Sequence, residues 1–274
     1  MPSRSSDRPV RSWLFAPGHN PRILARAFDV GADEVLLDLE DGVGPVFKEQ
    51  ARVQVVEVLS QRPSWVRINP AGSPAAELDL EAVGGLAIGI RIPKVESPQD
   101  VAWVRERLAG RDVPLTASIE SAISVLNASG IAGSAGVESL TFGNMDFATD
   151  VGVDPQDLEA TSLARSTLVL ASRAAGIQSP SDGVYANFKD ESGLRAVCVA
   201  VRRLGFWGKS AIHPSQVPVI NDAFSPTAAE LEWAQRVVTA YRASGGAAAR
   251  VGDEMIDVPV YERALRLIRL GAQA

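Results

Sequence analysis

Cysteine, histidine and lysine are scarce in this sequence of 274 residues. It has one cysteine, Cys198, two histidines, His19 and His213, and only four lysines. A single cysteine cannot form an intrachain disulfide, and so few cysteine and histidine ligands argue against a zinc site. A Schiff-base aldolase needs a desolvated lysine. Lys94 is the only lysine at the end of a predicted strand, and carboxylates expected nearby favour its charged form.

Long apolar runs and an excess of positive charge are also missing. The 27 Lys and Arg are outnumbered by 33 Asp and Glu, which gives a net charge of −6 and argues against nucleic acid as the main partner. The opening residues lack the apolar run of a secretory signal. The longest uncharged stretch, residues 121–137, is too rich in Ser and Gly to span a membrane. We therefore expect a cytoplasmic protein with no membrane contact.

Short apolar runs alternate with longer amphipathic stretches over most of the chain. Eight runs are typical of strands: residues 13–16, 34–40, 65–69, 88–95, 115–120, 139–146, 182–185 and 209–213. Helical patterns lie between them, among others at residues 48–59, 98–108, 158–175 and 193–204. This alternation predicts a parallel sheet. Eight units favour a (β/α)8 TIM barrel, and an open doubly wound sheet is the weaker alternative because no GxGxxG follows the first strand.

Further helical patterns follow the eighth strand. They cover residues 215–223, 228–243 and 258–270, with a Gly- and Ala-rich link at 245–249. We therefore expect a barrel domain over residues 1–224 and a C-terminal helical extension, or lid, over residues 225–274.

Charged residues recur at the ends of successive predicted strands. Glu40, Arg67, Lys94, Glu120 and Asp146 follow one another at intervals of 27, 27, 26 and 26 residues, and each interval is one strand-helix unit. The carboxyl ends of barrel strands meet at one rim. We expect these five side chains to converge there, although a solvated loop charge or a rim salt bridge is the alternative for any one of them.

The predicted rim has the residues for a magnesium site. Glu120 and Asp146, on adjacent strands, would present two carboxylates to a small hard cation and leave most of its octahedron to water and substrate. The fork of Arg67 would hold a carboxylate or polarise a carbonyl, unless it only bridges rim carboxylates. A cation and a guanidinium together stabilise an enolate, as aldol-type or Claisen-type cleavage requires.

Seven segments, in order along the chain, resemble a known family. They are LFAPG (14–18), LDLEDGV (37–43), VRIN (66–69), IPKVE (92–96), SIES (118–121), FGNMD (142–146) and GKSAIHPSQ (208–216). The sequence resembles the HpcH/HpaI aldolase family, and within it the citrate lyase β-subunit-like proteins related to malyl-CoA and citramalyl-CoA lyases. The resemblance implies a barrel in which Glu120 and Asp146 bind Mg²⁺ and Arg67 holds the substrate carboxyl or carbonyl.

The same resemblance suggests the remaining site residues. It assigns the CoA arm to Pro17 and Gly18 after the first strand and to His213 and Pro214 after the eighth. Glu40 and Lys94, taken from the recurring charges at the strand ends, also belong to the predicted catalytic set.

An aspartate in a C-terminal lid completes a neighbouring subunit's site in the acyl-CoA lyases of this group, and Asp257 is its match here. The alternative for Asp257 is a helix N-cap before Pro259. We expect a homo-oligomer, either a trimer or a hexamer.

These features lead to three hypotheses. The first is a Mg²⁺-dependent carbon–carbon lyase that cleaves or forms a 3-hydroxyacyl-CoA of the malyl, citramalyl or citryl type, with acetyl-CoA and a 2-oxo acid as the other side of the reaction. The second is a CoA-independent aldolase acting on a free 2-oxo acid. The third is a subunit of a lyase complex whose acyl groups arrive on a carrier protein. In FGNMD the family's acidic neighbour of Asp146 is replaced by Met145, which leaves the substrate open.

Overall fold

Eight parallel strands close into a barrel in chain order in the computed structural model, which describes residues 10–272. The strands are β1 (Ser12–Pro17), β2 (Glu34–Asp38), β3 (Trp65–Arg67), β4 (Gly89–Ile92), β5 (Leu115–Ile119), β6 (Val137–Phe142), β7 (Ser181–Asp182) and β8 (Gly208–Ala211). Pairing of Ser12 with Lys209 joins β1 to β8 and closes the barrel. The predicted TIM barrel is confirmed.

Helices connect the strands, and a short 3-10 turn at Pro45–Phe47 precedes the second of them. They are α1 (Pro21–Ala27), α2 (Lys48–Gln61), α3 (Pro74–Val83), α4 (Pro98–Arg107), α5 (Ala122–Leu126), α6 (Ala128–Ala132), α7 (Asn144–Val151), α8 (Ser162–Ala175), α9 (Glu191–Leu204), α10 (Gln216–Phe224), α11 (Ala228–Ala243) and α12 (Val258–Gly271). Several begin as their sequences indicate, with a proline in the first turn after a polar cap. Asn20 and Ser73, for example, accept hydrogen bonds from the backbone N–H groups of Ile23 and Ala76.

All strands except β1 end earlier than the sequence pattern predicts, and this changes the setting of one site residue. β6 ends at Phe142, and Asp146, expected at a strand end, lies in the first turn of α7. The Gly143 N–H still bonds to the Ile119 carbonyl of β5. The helix then starts at once, and the Asn144 side chain in its first turn donates to the backbone carbonyls of Pro155 and Val184.

The interior of the barrel changes from apolar to polar along its axis. Trp13, Leu36 and Trp65, near the starts of their strands, form a buried cluster in which the two indole rings meet edge to face at 5.1 Å. Gly89 makes room for it, since a Cβ there would lie 2.4 Å from the Trp65 ring. Farther along, buried hydroxyl groups pair between neighbouring strands, for example Thr141 with Ser181 at 2.8 Å. The fold therefore supports a polar cavity at the carboxyl end of the strands.

A buried ion cluster joins β7 and β8 to α8. Asp182 is fully buried between Lys209 and Arg165, and Arg165 Nε lies 2.9 Å from Asp182 Oδ1. Burial alone would raise the pKa of the Asp182 carboxyl, but the two cations lower it below its usual range. Arg165 also donates to the Thr161 hydroxyl and stacks on Phe142. The cluster fixes the short seventh strand, which has only two residues in the sheet.

The chain divides into two compact units, Val10–Asn221 and the residues from Asp222 onward. The boundary lies inside α10, whereas the sequence interpretation drew it after residue 224. Residues 1–9 of the expected barrel domain and residues 273–274 of the expected extension lie outside the described residues. Within residues 10–272, no helix is long and apolar enough to cross a membrane.

The second unit contains α11, α12 and an antiparallel hairpin, β9 (Ala249–Val251) with β10 (Glu254–Ile256). Its core is formed by Val237, Ile256 and Ala264 with their neighbours, and the rings of Tyr241 and Tyr261 stack at 4.5 Å. The sequence interpretation expected a link at residues 245–249 and missed this hairpin.

Replacing Asp182 with Ala is expected to destabilise the barrel by about 3–5 kcal/mol, because it leaves two buried cations without a partner. The loss is largest near neutral pH. The pKa of Asp182 is lowered in the folded state, so its stabilisation is present above the unfolded pKa and lost as pH falls through the folded value. Urea unfolding at several pH values measures it. Asp29→Ala, which breaks an exposed pair with Arg62 at 3.9 Å, is the control and should cost less than about 1 kcal/mol.

Candidate functional site

Arg67 is the centre of an ion-pair cluster at the ends of β2 and β3. Its Nε and Nη2 atoms donate to the two carboxylate oxygens of Asp38 at 2.7 and 2.8 Å, and Nη1 lies 2.8 Å from Glu40 Oε2. Burial opposes the charge of Arg67, but Asp38 and Glu40 raise its pKa above the ordinary value. Arg67 therefore bridges rim carboxylates, which the sequence analysis had left as an alternative. Three of its five N–H donors are used in this way, and two remain for a substrate.

Asp38 is a site residue that the sequence interpretation missed. Besides Arg67, its carboxylate accepts hydrogen bonds from the backbone N–H groups of Glu40 and Gly42 at 2.9 and 3.0 Å. A Cβ at Gly42 would lie 2.3 Å from Asp38 Oδ2, so only glycine permits this turn. The signal was an acidic residue two positions before Glu40, between the apolar residues Leu37 and Leu39.

Lys94 extends the cluster. Its Nζ lies 2.7 Å from Glu40 Oε1 and 2.9 Å from Asp41 Oδ2. Burial opposes the charge, but hydrogen bonds from Lys94 to Asp41 and Glu40 raise the pKa of its ammonium group. The backbone of Lys94 has φ of 51°, a left-handed conformation that is uncommon for a residue with a side chain. Lys94 is thus held as a cation against Glu40, and the geometry gives no neutral amine for Schiff-base chemistry.

Glu120 follows β5 directly and is buried, with 8% of its surface exposed. Its backbone N–H donates to Ser124 Oγ at 3.0 Å, but within residues 10–272 its carboxylate has no hydrogen-bond or ion-pair partner. Gly143 lets it approach β6, since a Cβ there would lie 2.4 Å from Glu120 Cγ. Burial, together with the negative charges of Asp146 and Glu40, raises the pKa of Glu120 to about 7.

Asp146 provides the second carboxylate. It lies in the first turn of α7, is exposed, and lines the same cavity as Glu120. Its carboxylate likewise has no partner in the described part of the chain. Two unpartnered carboxylates that repel one another are suited to a hard cation such as Mg²⁺, which takes one or two protein carboxylates and keeps other positions for water and substrate. Among the described residues no group of three or more His, Cys, Asp or Glu is arranged to hold a metal, which disfavours an all-protein cage.

The cavity between these groups has a volume of about 80 Å³. Its lining comprises Phe15, Arg67, Arg91, Ser118, Glu120, Thr141, Phe142, Gly143, Asn144, Met145, Asp146, Gly183, Val184 and Ser210. This space admits a small organic acid and excludes a nucleotide, so any CoA arm would have to lie outside it. Arg67, Glu120 and Asp146 are brought together here, whereas Glu40 and Lys94 reach the cavity only through Arg67.

Arg91, in β4, is a charged lining residue that the sequence interpretation missed. Its side chain is 1% exposed, and Nη1 donates to Ser210 Oγ at 3.2 Å. Its guanidinium lies over the Trp13 ring, 4.6 Å from the centroid. The available signal was a charged residue inside a strand whose neighbours, Ile90 and Ile92, are apolar.

The four residues assigned to the CoA arm are not among the cavity's lining residues. Gly18 forms a tight turn, in which its N–H donates to the Asp38 carbonyl at 2.8 Å, directly after Pro17 at the end of β1. His213 is exposed, stacks on Phe188 with centroids 4.6 Å apart, and hydrogen-bonds Ser215 at 2.8 Å, while Pro214 is exposed.

Asp257 lies in the C-terminal unit as the N-cap of α12. Its side chain accepts a hydrogen bond from the Val260 N–H at 3.3 Å. The capping role that the sequence left as an alternative is therefore present, and Asp257 is partly exposed in this position.

Replacing Glu120 with Gln is expected to stabilise the protein by about 1–3 kcal/mol at pH 8 in the absence of divalent cations. The folded-state pKa, about 7, lies above the unfolded value of about 4.3. Below about pH 4 the Glu120 carboxyl is protonated in both states and costs no stability. As pH rises to about 7, the free energy of unfolding of the wild type falls, and Gln, which cannot ionise, avoids this loss. Urea unfolding at pH 4 and pH 8 with a chelator measures this. Glu159→Gln, at an exposed carboxylate outside the cavity, should change little, and equal stability of wild type and Glu120→Gln at pH 8 would contradict the described environment.

Comparison with known proteins places this site in a family. The family model described as HpcH/HpaI aldolase/citrate lyase matches residues 11–214. A (3S)-malyl-CoA thioesterase of Cereibacter sphaeroides is 38% identical over 240 residues, which cover 85% of this chain and 83% of that protein. The citrate lyase subunit beta of Haemophilus influenzae is 34% identical over 276 residues, covering 93% and 94%.

A solved structure is similar over nearly the whole chain. It is the protein CitE of Mycobacterium tuberculosis in complex with magnesium, acetoacetate and coenzyme A, which is 31% identical, has a TM-score of 0.84, and is matched over 97% of this chain and 99% of that one. The predicted family resemblance is confirmed by these matches. The chain belongs to the HpcH/HpaI aldolase/citrate lyase family.

Proposed function

We propose that this protein is a Mg²⁺-dependent carbon–carbon lyase that cleaves, or forms, a 3-hydroxyacyl-CoA, with acetyl-CoA and a 2-oxo acid on the other side of the reaction. The observation that carries the proposal is the pair of unpartnered carboxylates, Glu120 and Asp146, facing Arg67 in a cavity sized for a small organic acid. Relatives named for malyl-CoA and citrate chemistry, and a similar structure that holds magnesium and coenzyme A, support it.

Glu120 and Asp146 would hold the Mg²⁺ ion. When bound, the ion supplies Lewis acidity and positive charge toward the oxygens of a 2-oxo acid. Around it, Glu120 is kept in position by the absence of a side chain at Gly143 and by the backbone contact to Ser124. A bound Mg²⁺ would offset the burial and the repulsion from Asp146 that together raise the pKa of Glu120.

The chain's own residues would handle charge and protons during cleavage. The C3 hydroxyl of the acyl group gives its proton to a base, the C2–C3 bond breaks, and its electron pair passes to C2 as the enolate of the thioester. Protonation of C2 then yields acetyl-CoA, while C3 becomes the carbonyl carbon of the 2-oxo acid. Arg67, oriented by Asp38, stabilises negative charge on oxygen with its two remaining N–H donors. Glu40 and Lys94 keep that guanidinium in place.

Two further assignments belong to the same proposal. The CoA arm would run across the rim near Pro17, Gly18, His213 and Pro214, since the cavity itself has room only for the acid. Asp257 would serve as acid or base in the site of an adjacent subunit, carried there by the C-terminal unit.

A homo-oligomer, a trimer or a hexamer, is part of the proposal. Its support is a set of exposed apolar side chains on α5, α7 and α8, which are neighbours on the barrel surface: Ile123, Leu126, Val151, Leu163 and Leu170. Leu126, Leu163 and Leu170 each expose more than 70% of their surface, and grouped apolar surface of this kind marks an interaction site. A cytoplasmic location is proposed with it, in keeping with the free thiol of Cys198.

The proposal predicts Mg²⁺-dependent conversion of malyl-, citramalyl- or citryl-CoA into acetyl-CoA and a 2-oxo acid. Glu120→Ala and Asp146→Ala should remain folded, lose Mg²⁺ binding by calorimetry, and lose turnover by at least about 100-fold. Glu159→Ala, at an exposed carboxylate outside the cavity, is the control.

Product analysis separates the alternatives. Release of free CoA with an intact hydroxy acid would make the protein a thioesterase, as one relative is named. Cleavage of free 2-oxo acid adducts alone would make it a CoA-independent aldolase, and activity only with carrier-protein thioesters would make it a complex subunit. Each of these results would overturn the proposal.

The role of Asp257 predicts activity from a mixture of two inactive variants. Glu120→Ala and Asp257→Ala each disable every site when alone, but subunit exchange creates sites with an intact Glu120 from one chain and an intact Asp257 from another. Turnover should reappear at up to about a quarter of wild type for random exchange in a closed assembly. Exchange verified by mass labelling without any return of activity would restrict Asp257 to its helix-capping role.

A further inference from the structure

Arg91 is a buried cation that the proposed chemistry does not use. Its side chain is 1% exposed, yet Nε and Nη2 have no hydrogen-bond partner within residues 10–272. The single bond it makes is from Nη1 to Ser210 Oγ, at 3.2 Å. Burial, followed by the like charge of Arg67, lowers the pKa of Arg91 to about 9. Unpartnered N–H groups on a buried guanidinium are costly, and buried charges are normally paired.

No carboxylate among residues 10–272 forms a hydrogen bond to Arg91. Glu120 and Asp38 are the carboxylates whose charges favour its protonated form, and neither forms a hydrogen bond to it. Both oxygens of Asp38 are already bound by Arg67. Trp13 and Phe15 contribute only their ring faces, with centroids 4.6 and 5.7 Å from the guanidinium carbon. Within the described part of the chain, the Nε and Nη2 donors of Arg91 are therefore available to an anion from outside it.

The position of Arg91 gives the place for that anion. Arg91 lies within β4, whereas Glu120 and Asp146 follow the ends of β5 and β6. All three line one cavity, so Arg91 is at its deeper, enclosed part and the two carboxylates are at its rim. Buried hydroxyls surround the deeper part, including Ser118, Thr141 and Ser210. A ligand that extends from the rim to Arg91 would therefore need oxygen atoms at both ends, one set for the cation at the rim and one set for the N–H donors of Arg91.

We propose that Arg91 is a specificity-determining residue that binds a second carboxylate of the substrate, so that the 2-oxo acid of this enzyme is a dicarboxylate. This inference rests on the proposed function and specifies its substrate class. The carboxyl and oxo groups at one end face the rim carboxylates and their cation. The second carboxylate, on the substituent of the oxo carbon, lies between the free N–H donors of Arg91 and the Ser210 hydroxyl.

A monocarboxylic substrate leaves this part of the site unsatisfied. The methyl group of pyruvate or the hydrogen of glyoxylate would face Arg91 without accepting a hydrogen bond. Sites built to pair with a polar group reject analogues that lack it far more strongly than apolar pockets do. A bidentate Arg–carboxylate pair also carries the geometric selectivity that a hydroxyl cluster alone does not have.

The test measures binding of oxaloacetate and pyruvate to the full-length protein by calorimetry in the presence of Mg²⁺. Wild type should bind oxaloacetate at least about tenfold more tightly than pyruvate. Arg91→Met, which keeps the length and removes the charge, should abolish this preference while pyruvate affinity changes less than about threefold. Ser210→Ala removes the one hydrogen bond of the guanidinium among the described residues and should reduce the preference. This second variant provides a test even if Arg91→Met is unstable.

Thr116→Val is the matched control, because Thr116 is paired with Arg91 in the sheet and lies outside the cavity lining. It should preserve the preference. Equal binding of oxaloacetate and pyruvate by wild type, or equal loss of both in folded Arg91→Met, would overturn the inference and leave the lyase proposal standing. Failure of wild type to bind either acid with Mg²⁺ present, together with no cleavage of any CoA thioester, would overturn both.

Discussion

The bidentate ion pair between Arg67 and Asp38 is the contact on which the rest of the site depends. It uses both oxygens of Asp38 and two of the three nitrogens of Arg67, and the third nitrogen engages Glu40, which is held in turn by Lys94. Charges so deep in a barrel are tolerated because each has an oriented partner. The result is a rigid wall on the β2–β4 side of the cavity, at which a substrate meets donors that are already in place.

The wall of the cavity formed after β5 and β6 differs, because its charged groups are not paired. Among the described residues Glu120 and Asp146 have no hydrogen-bond or ion-pair partner, and burial raises the pKa of Glu120 to about 7. This arrangement lowers the stability of the free protein, and binding of a cation offsets that loss, as is common at functional sites. Arg91 is the cationic counterpart, with two of its three nitrogens lacking a hydrogen-bond partner among the described residues. The site thus combines the paired cluster around Arg67 with three side chains, Glu120, Asp146 and Arg91, that are available to ligands of opposite charge.

Much of this could be predicted from the sequence, because strand-helix units of constant length put charged residues in phase. Glu40, Arg67, Lys94 and Glu120 were located in this way, and the closed barrel followed from the eight units. The contacts of long side chains could not be predicted in the same way. Arg67 engages Asp38, a residue 29 positions earlier, and Arg91 reaches Ser210, 119 positions later. The β9–β10 hairpin was missed because its strands have three residues each, too few to show a period of two.

The central claim is that Glu120 and Asp146 together hold one divalent cation beside Arg67. Anomalous diffraction from crystals soaked in Mn²⁺, a substitute for Mg²⁺ with similar oxygen ligands, tests it most directly. The account predicts one peak per chain, between the two carboxylates and about 2.0–2.2 Å from an oxygen of each. A peak bound by other side chains, or none at saturating Mn²⁺, would contradict it.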